Sequence, residues 1–352
     1  MRRKIRLFGL LVVLLVVAVP VGGAWVARYL HQPLPLKEAQ LVLISPGTGF
    51  NRFLYDLRSE GLLGDAHQAH MRYWGARLYS AFTGIAGRMH VGEYRVEPGD
   101  SLLTLLDRID QGKVLQRSIT FVDGWNFREM RARLAGMDTI EHRIKGLSDA
   151  QVMTRLGRQG QHPEGWFAPD TYFYTRGTTD LTLLQRALER QQAILDRAWA
   201  QRDQDLPYDT PYKALIMASI VEKETGVPDE RAEIAGVFVN RLRKGMRLQT
   251  DPTVIYGMGE RYDGNIRRSD LRRPTPYNTY VIQGLPPTPI AMPGREAIEA
   301  AMHPAHTEAL YFVARGDGSH YFSKTLAEHR KAVRDYQLRR RDGYRSAPGD
   351  KP

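Results

Sequence analysis

The chain has 352 residues, of which 42% are hydrophobic and 25% charged, so it is long enough for about two domains with buried cores. It contains no cysteine, which excludes a disulfide framework, a zinc–thiolate site and a thiol nucleophile. Its net charge of +11 favours a polyanionic partner, which can be nucleic acid, anionic lipid or an anionic cell wall.

The first predicted element is a membrane anchor. Residues 7–27 contain no charged residue, and about 20 apolar residues suffice to span a bilayer. Basic residues fill most of positions 1–6, which places this tip in the cytoplasm and the rest of the chain outside it. The alternative is a cleaved signal peptide, but its apolar core of about 7–15 residues is shorter than this run. We therefore predict a single-pass protein of the bacterial inner (plasma) membrane, with its folded part in the periplasm.

This location disfavours nucleic acid, ATP and nicotinamide cofactors as partners, and the sequence has no phosphate-binding P-loop motif. Of the polyanions that the charge allows, anionic lipid and the cell wall remain.

After a tether over residues 28–39, a pattern of strand, turn and helix occurs twice. The first copy has a strand at 41–44 and a helix from Phe50, and the second has a strand at 93–96 and a helix capped by Ser101. The second copy resembles the LysM glycan-binding module over a short stretch. We predict a LysM-like α+β domain over residues 40–117. The same pattern also fits an ordinary α+β domain that spaces the rest of the chain from the membrane.

A second domain is predicted over residues 118–342, followed by a basic, disordered tail at 343–352. A β-hairpin is predicted between residues 310 and 322, and irregular chain rich in glycine and proline between 245 and 293. Helices are predicted at 181–204, 212–225, 229–244, 294–302 and 325–341.

The helix at 212–225 carries the first candidate for chemistry. It is apolar nearly all round, which predicts a buried helix, yet it ends in Glu222, Lys223 and Glu224. Helical spacing points the two glutamates to nearly opposite sides, so they do not share one site. A carboxyl group against an apolar surface has a raised pKa and can act as a general acid. The alternative is a solvated helix end where both glutamates pair with Lys223 or Arg231, and spacing alone does not choose between the glutamates.

The following segment is rich in groups that bind sugars. Amides and hydroxyls hydrogen-bond to sugar hydroxyls and acetamides, and aromatic rings stack on apolar sugar faces. Trp166, Tyr172 and Tyr174 could also stack on sugars, although aromatic residues more often fill cores. The candidate substrate-binding residues are Gln249, Asp251, Thr253, Tyr256, Tyr277 and Asn278, with Glu222 at the helix end.

Motifs at residues 164–172, 218–225, 237–242, 246–257, 277–280 and 284–287 resemble, in this order, those of the endolytic murein transglycosylases, the MltG/YceG-like family. The resemblance implies an α+β fold class: an N-terminal transmembrane helix, a LysM-like α+β domain and a mixed α/β catalytic domain. It also implies that the catalytic residue is the second glutamate of Glu-Lys-Glu, Glu224. The partners that the resemblance implies are peptidoglycan glycan strands and peptidoglycan synthases (penicillin-binding proteins). It implies no cofactor.

The implied reaction is cleavage of the β-1,4 bond between N-acetylmuramic acid and N-acetylglucosamine without water. Glu224 would protonate the leaving oxygen and then, as carboxylate, take the proton of the muramyl C6 hydroxyl, which attacks its own C1. The product is a 1,6-anhydromuramyl end. One carboxyl group suffices for this reaction, whereas ordinary glycosidases use two, about 5–9.5 Å apart.

Three alternatives stay open. The first is a muramidase-type hydrolase that uses Glu224 and Asp251, and the second is a non-enzymatic peptidoglycan-binding protein. The third, a lyase acting on a small metabolite, is disfavoured by the predicted export and by the lack of a cofactor loop. His303 and His306 have a spacing that could suit a pair of metal ligands, and His320 lies in the predicted hairpin. No third ligand is spaced to join them, so we predict loop or packing roles for these histidines and no metal site.

Overall fold

The computed structural model describes residues 23–338. The predicted cytoplasmic tip, residues 7–22 of the predicted transmembrane helix and the predicted tail at 343–352 lie outside this range. Within residues 23–338, no helix has both the length and the apolar character needed to cross a bilayer. The last residues of the predicted anchor belong to helix α1, residues 23–31.

The chain divides into two compact units, and each is described by itself. Unit 1 contains the described residues up to Arg117 together with Phe173–Gly177. Unit 2 contains Ser118–Tyr172 and the described residues from Thr178 onward.

Unit 1 contains α1 and two strand–turn–helix segments. Strand β1 (Gln40–Ile44) is followed by α2 (Phe50–Ser59) and α3 (Ala66–Thr83), and β2 (Gly92–Val96) is followed by α4 (Leu102–Asp110). The strands pair antiparallel, with Gln40 opposite Val96. Both predicted strands and both predicted helices are therefore present. The glycan-binding role that the LysM resemblance implies stays a prediction.

The core of unit 1 follows from the alternation of each strand and the apolar face of each helix. Val42 and Ile44 of β1 are buried, while Leu41 and Leu43 point to the other side of the strand. The Ser101 hydroxyl accepts a hydrogen bond from the Thr104 backbone N–H and so caps α4. The same core contains Phe53, Leu54, Leu57, Ala69, Ala76, Tyr94, Leu102, Leu105, Leu106 and Ile109.

Unit 2 is mostly helical, with short two-stranded sheets. Strand β3 (Arg117–Thr120) pairs with β4 (Thr171–Tyr174), and Arg117 and the last two residues of β4 belong to unit 1. Strand β5 (Tyr311–Ala314) pairs antiparallel with β6 (His320–Ser323). The α+β class is confirmed. The helices are α5 (Phe127–Ala135), α6 (Asp149–Arg155), α7 (Asp180–Gln201), α8 (Pro211–Glu224), α9 (Arg231–Arg243), α10 (Asp251–Met258), α11 (Arg268–Arg272), α12 (Arg295–Met302) and α13 (Leu326–Val333).

Helix α8 is the centre of unit 2. Its residues from Ala214 to Val221 are all buried, and α7, α9, α10 and α12 pack against it. The prediction of a buried helix is confirmed. The prediction of irregular chain between residues 245 and 293 was partly wrong, because α10 and α11 lie within this segment. Helix α10 begins with Asp251-Pro252, and proline is well suited to the first turn of a helix, where its missing N–H costs nothing.

Candidate functional site

The two glutamates at the end of α8 have different surroundings. Glu222 accepts a hydrogen bond from the Gly294 backbone N–H at 3.0 Å, whereas Glu224 accepts one from the Thr250 hydroxyl at 2.7 Å. They therefore do not form a carboxylate pair. Of the two alternative partners, Lys223 donates its ammonium to the Gly124 carbonyl at 3.2 Å. Burial raises the pKa of Glu222, and the charge of Arg231 lowers it less strongly.

The Glu224 carboxyl group is half-buried, and its protonation is finely balanced. Burial raises its pKa to about 7, the charge of Asp251 also raises it, and the Thr250 hydrogen bond and the charge of Arg241 lower it. The Arg241 guanidinium itself donates to the backbone carbonyls of Leu248 and Leu310. Glu224 can therefore hold or release a proton near neutral pH.

A cluster of buried hydroxyls fixes the position of Thr250. The Thr279 hydroxyl accepts from the Thr250 backbone N–H at 3.1 Å and lies 2.8 Å from the Thr253 hydroxyl. The Thr253 hydroxyl also lies 2.8 Å from the Thr250 carbonyl, to which it donates. All three threonines are almost fully buried. The donor that faces Glu224 is thus held before any ligand binds.

Asp251 and Gln249 flank Thr250 and are exposed. The Asp251 carboxylate accepts a hydrogen bond from the Tyr280 hydroxyl at 2.7 Å. Gln249 has a φ of 52°, a left-handed conformation that a non-glycine residue rarely adopts. Backbone strain of this kind occurs at sites where the chain must present a group in a set direction.

A cleft of about 890 Å³ lies beside this end of α8. Lys223, the residue before Glu224, lines it, and so do Pro252, Ile255 and Tyr256 of α10 and Gly259 just after that helix. The other lining residues are Gly124, Asn126, Phe127, Arg128, Glu129, Asp149, His162, Pro163, Glu164, Glu260, Tyr262, Tyr277 and Ile290. Its volume is in the range of known ligand sites, and its lining mixes charged, aromatic and apolar groups.

Two predicted site residues meet in this cleft. The rings of Tyr256 and Tyr277 pack edge to face, with centroids 4.9 Å apart. The Tyr277 hydroxyl lies 2.9 Å from the Thr288 hydroxyl, and the Tyr256 hydroxyl donates to Glu164 at 2.9 Å. Both rings are therefore held in place within the cleft wall.

Glu164 is a cleft residue that the sequence analysis missed as a site residue. It is only 3% exposed, and its second carboxylate oxygen accepts from the Phe127 backbone N–H at 3.0 Å. Burial raises its pKa to about 8. The available signal was a single carboxylate inside the otherwise uncharged run Pro163–Pro169, which is unusual for an exposed loop.

Three other candidates have partners inside the protein. Asn278 is 1% exposed, and its amide donates to the carbonyls of Asp270, Leu271 and Arg273. Thr253 belongs to the hydroxyl cluster, and Glu222 holds the Gly294 N–H. The structure gives all three a supporting role, and their contact with substrate stays a prediction.

The aromatic and histidine residues singled out earlier also have local partners. Trp166 is buried and stacks on Tyr212, with ring centroids 5.7 Å apart. His320 is 2.7 Å from the Glu230 carboxylate, and His303 is 2.7 Å from that of Asp203. Between residues 23 and 338, no group of three or more histidine, aspartate or glutamate side chains is arranged to hold a metal ion.

Comparison with known proteins gives one consistent family. The YceG-like family matches residues 42–335. The chain is similar to an endolytic murein transglycosylase of Bacillus subtilis (strain 168), with 32% identity over 288 residues and 77% of each chain covered. It is also similar to an endolytic murein transglycosylase of Streptococcus pneumoniae serotype 2, with 31% identity over 49% of this chain and 32% of that protein.

A solved structure supports the fold. The crystal structure of a yceG-like protein from Listeria monocytogenes aligns with a TM-score of 0.53 and 27% identity. The alignment covers 84% of this chain and 99% of that one.

Proposed function

The chain belongs to the YceG-like family, and from this premise we propose that it is a membrane-anchored endolytic murein transglycosylase, a lyase that acts on the glycan strands of peptidoglycan. The bond cleaved is that between N-acetylmuramic acid and N-acetylglucosamine, and the product carries a 1,6-anhydromuramyl end. Residues 7–27 provide the anchor, and the polar cleft of unit 2 binds the glycan.

One observation carries the proposal: a half-buried carboxyl group, Glu224, whose pKa is about 7 and whose hydrogen-bond donor is a fixed, neutral hydroxyl. A group that must first give and then take a proton works best when its pKa lies near the ambient pH. A strong cationic partner would keep the carboxyl group ionised, whereas Thr250 stabilises the carboxylate only modestly.

Each step of the reaction uses this one group. The Glu224 acid gives its proton to the glycosidic oxygen, the C1–O bond breaks, and N-acetylglucosamine leaves with a free 4-hydroxyl. The Glu224 carboxylate then takes the proton of the muramyl C6 hydroxyl, whose oxygen bonds to C1. Atoms balance without water, and Glu224 ends protonated, ready for the next cleavage.

The cleft supplies binding. Tyr256 and Tyr277 line the cleft and offer ring faces and edges to apolar sugar faces. Glu224, Gln249 and Asp251 are not among its lining residues, and we propose that the glycan extends from the cleft past the end of α8, where Gln249 and Asp251 offer hydrogen bonds. We add Glu164 to this set, because its carboxyl group lines the cleft and holds the Tyr256 hydroxyl. Peptidoglycan synthases are proposed partners, since an anchored enzyme would meet glycan strands as they are made.

Hydrolysis by Glu224 and Asp251 is the second candidate. It is favoured by the Asp251 charge, which acts on Glu224 and raises its pKa. Asp251 is exposed and bonded to Tyr280, which suits substrate binding as well as activation of water.

Turnover of purified sacculi by the full chain tests the assignment. We expect Glu224→Gln to lower the rate of glycan cleavage by at least about 100-fold, the contribution typical of a general acid–base group. Glu299→Gln, an exposed change on α12, is the matched control and should keep the wild-type rate.

Glu222→Gln completes the set. The glutamine carbonyl can still accept from the Gly294 N–H, so we expect this variant to stay folded and to keep cleaving glycan. Persistent cleavage by Glu224→Gln, with cleavage lost in Glu222→Gln, would transfer the role to Glu222. No cleavage by the wild-type protein, with retained binding to sacculi, would leave a non-enzymatic wall-binding protein.

A further inference from the structure

Helix α3 of unit 1 has an exposed face that becomes wholly apolar toward its C-terminal end. The exposed fractions are 51% for Trp74, 47% for Leu78 and 83% for Phe82. These residues follow one another at intervals of four, and the exposed Ala81 lies beside Phe82 on the same face. We call these four residues the apolar stripe. It runs for about 12 Å along the helix, and soluble monomers rarely expose contiguous patches of this kind.

The apolar stripe is not part of the core of unit 1. The opposite face of α3 supplies Ala69 and Ala76 to that core. The helix therefore has two apolar faces, one packed and one open. The open face needs a partner to explain its composition.

The chain that follows the long apolar run is fixed directly onto α3. Gly75 lies so close to α1 that a Cβ at this position would be 2.9 Å from Val26. The Arg72 side chain, 1% exposed, donates to the backbone carbonyls of Tyr29 and Pro33 on either side of the end of α1. Helix α1 thus leads from residues 7–22 onto the surface of α3.

Aromatic and basic residues accompany this arrangement. Trp25 of α1 is 46% exposed and packs edge-on against Tyr29, with centroids 5.2 Å apart. The Arg77 guanidinium lies over the Trp74 ring at 4.8 Å, and Arg28 is exposed on α1. Tryptophan, leucine and phenylalanine beside arginine are characteristic of helices that lie in a membrane interface.

We propose that the apolar stripe of α3 lies in the headgroup region of the bilayer that anchors the chain, with anionic lipid as its partner. The proposal rests on the membrane anchor of the proposed function. It adds a second, interfacial contact that orients unit 1 on the bilayer surface. Because the chain has a net charge of +11, an anionic lipid surface attracts it electrostatically.

The absence of cysteine permits a direct test with the full chain. Leu78→Cys is labelled with a polarity-sensitive fluorophore and reconstituted into vesicles of phosphatidylethanolamine and phosphatidylglycerol. A fraction of the lipids carries a nitroxide at the headgroup–acyl boundary. We expect a blue-shifted emission and loss of most of the fluorescence to the nitroxide lipid.

Leu43→Cys is the matched control. Leu43 is 52% exposed on β1 of the same unit, and it points away from the core that α3 packs against. Its fluorescence should be the same with and without nitroxide lipid. Both labelled proteins should keep wild-type glycan cleavage, which establishes that they are folded.

Three results would overturn the proposal. Equal, unquenched fluorescence at 78 and 43 would mean that the stripe stays in water. A blue-shifted but unquenched probe at 78 would mean that protein covers the stripe, either a second copy (if the shift depends on concentration) or residues 7–22. Release of the chain from vesicles by alkaline carbonate would contradict a membrane anchor. Glycan cleavage by the released chain would show that the proposed enzymatic function holds without that anchor.

Discussion

At the scale of single residues, two carboxyl groups stand out by their surroundings: the half-buried Glu224 and the buried Glu164. Glu224 has one fixed hydroxyl donor, and Glu164 has a backbone N–H and a tyrosine hydroxyl. Burial raises the pKa of both, to about 7 and about 8 respectively. Each therefore changes its charge near neutral pH.

The hydroxyl of Thr250 should shift the pH range of the proposed reaction. Burial raises the pKa of Glu224 to about 7, and Glu224 must be protonated to act as the proposed acid, so kcat/KM should fall as the pH rises through about 7. Thr250→Val removes the donor that favours the carboxylate, and we expect this alkaline limb to move upward by about one pH unit. A pH–rate profile measures the shift. Thr250→Ser, which keeps the hydroxyl, should show the wild-type limb, and an unmoved limb in Thr250→Val would contradict this role.

Glu164 should make stability depend on pH. Because its folded-state pKa is raised to about 8, the neutral acid stabilises the fold fully below its ordinary pKa, and this contribution is lost as the pH rises through about 8. Glu164→Gln cannot ionise, so its Tm relative to the wild type should rise between about pH 6 and pH 9, by roughly 2 °C or more. Thermal unfolding at several pH values measures this difference.

Glu260→Gln is the control for this experiment, because Glu260 is an exposed residue of the same cleft. Its Tm difference from the wild type should not increase with pH. A Glu164→Gln difference that stays constant, or falls, between the two pH values would show that the carboxylate is not buried at a cost.

At the scale of elements, the sequence predicts α8 but not α10, which lies in the segment after it. The apolar run of α8 and its two opposed glutamates could be predicted from helical spacing alone. Helix α10 was missed because glycine and proline near its ends resemble loop signals. The family motif, rather than any spacing, selected Glu224.

The missed role of Glu164 has a different cause. Its partner Tyr256 is 92 residues further along the chain, and Phe127 is 37 residues before it. Such a contact depends on how α5 and α10 pack, and no local pattern encodes it. The supporting roles of Asn278 and Thr253 were missed for the same reason, because their residue types suit sugar binding as well as hydrogen bonding within the protein.

The buried amide of Asn278 should stabilise α11 and the residue that follows this helix. Its amide serves three carbonyls between Asp270 and Arg273, and loss of buried hydrogen bonds of this kind costs about 1–3 kcal/mol. We expect Asn278→Ala to lower the free energy of unfolding by about 2 kcal/mol and to speed hydrogen exchange in α11. Asn265→Ala, in an exposed loop, should do neither. Wild-type hydrogen exchange in α11 of the Asn278→Ala variant would refute this stabilising role.

At the scale of the whole molecule, the proposed function assigns the membrane contact to unit 1 and the chemistry to unit 2. The uncharged run of residues 7–27 is the basis of the anchor prediction, and α1, which follows most of this run, packs closely on α3. The family match spans parts of both units, from residue 42 to residue 335. An enzyme of this design would act on glycan strands within reach of the membrane.

The central claim is that one carboxyl group cuts the glycan without water, and the chemistry of the new ends tests it most directly. Sacculi are digested with the wild-type protein and with Asp251→Asn, and the products are analysed by mass spectrometry before and after borohydride reduction. We predict 1,6-anhydromuramyl ends that resist reduction from both proteins, with Asp251→Asn slower because a substrate contact is weakened. Reducible muramic acid ends, one water heavier, that disappear in Asp251→Asn would contradict the account and identify a hydrolase with two carboxylates.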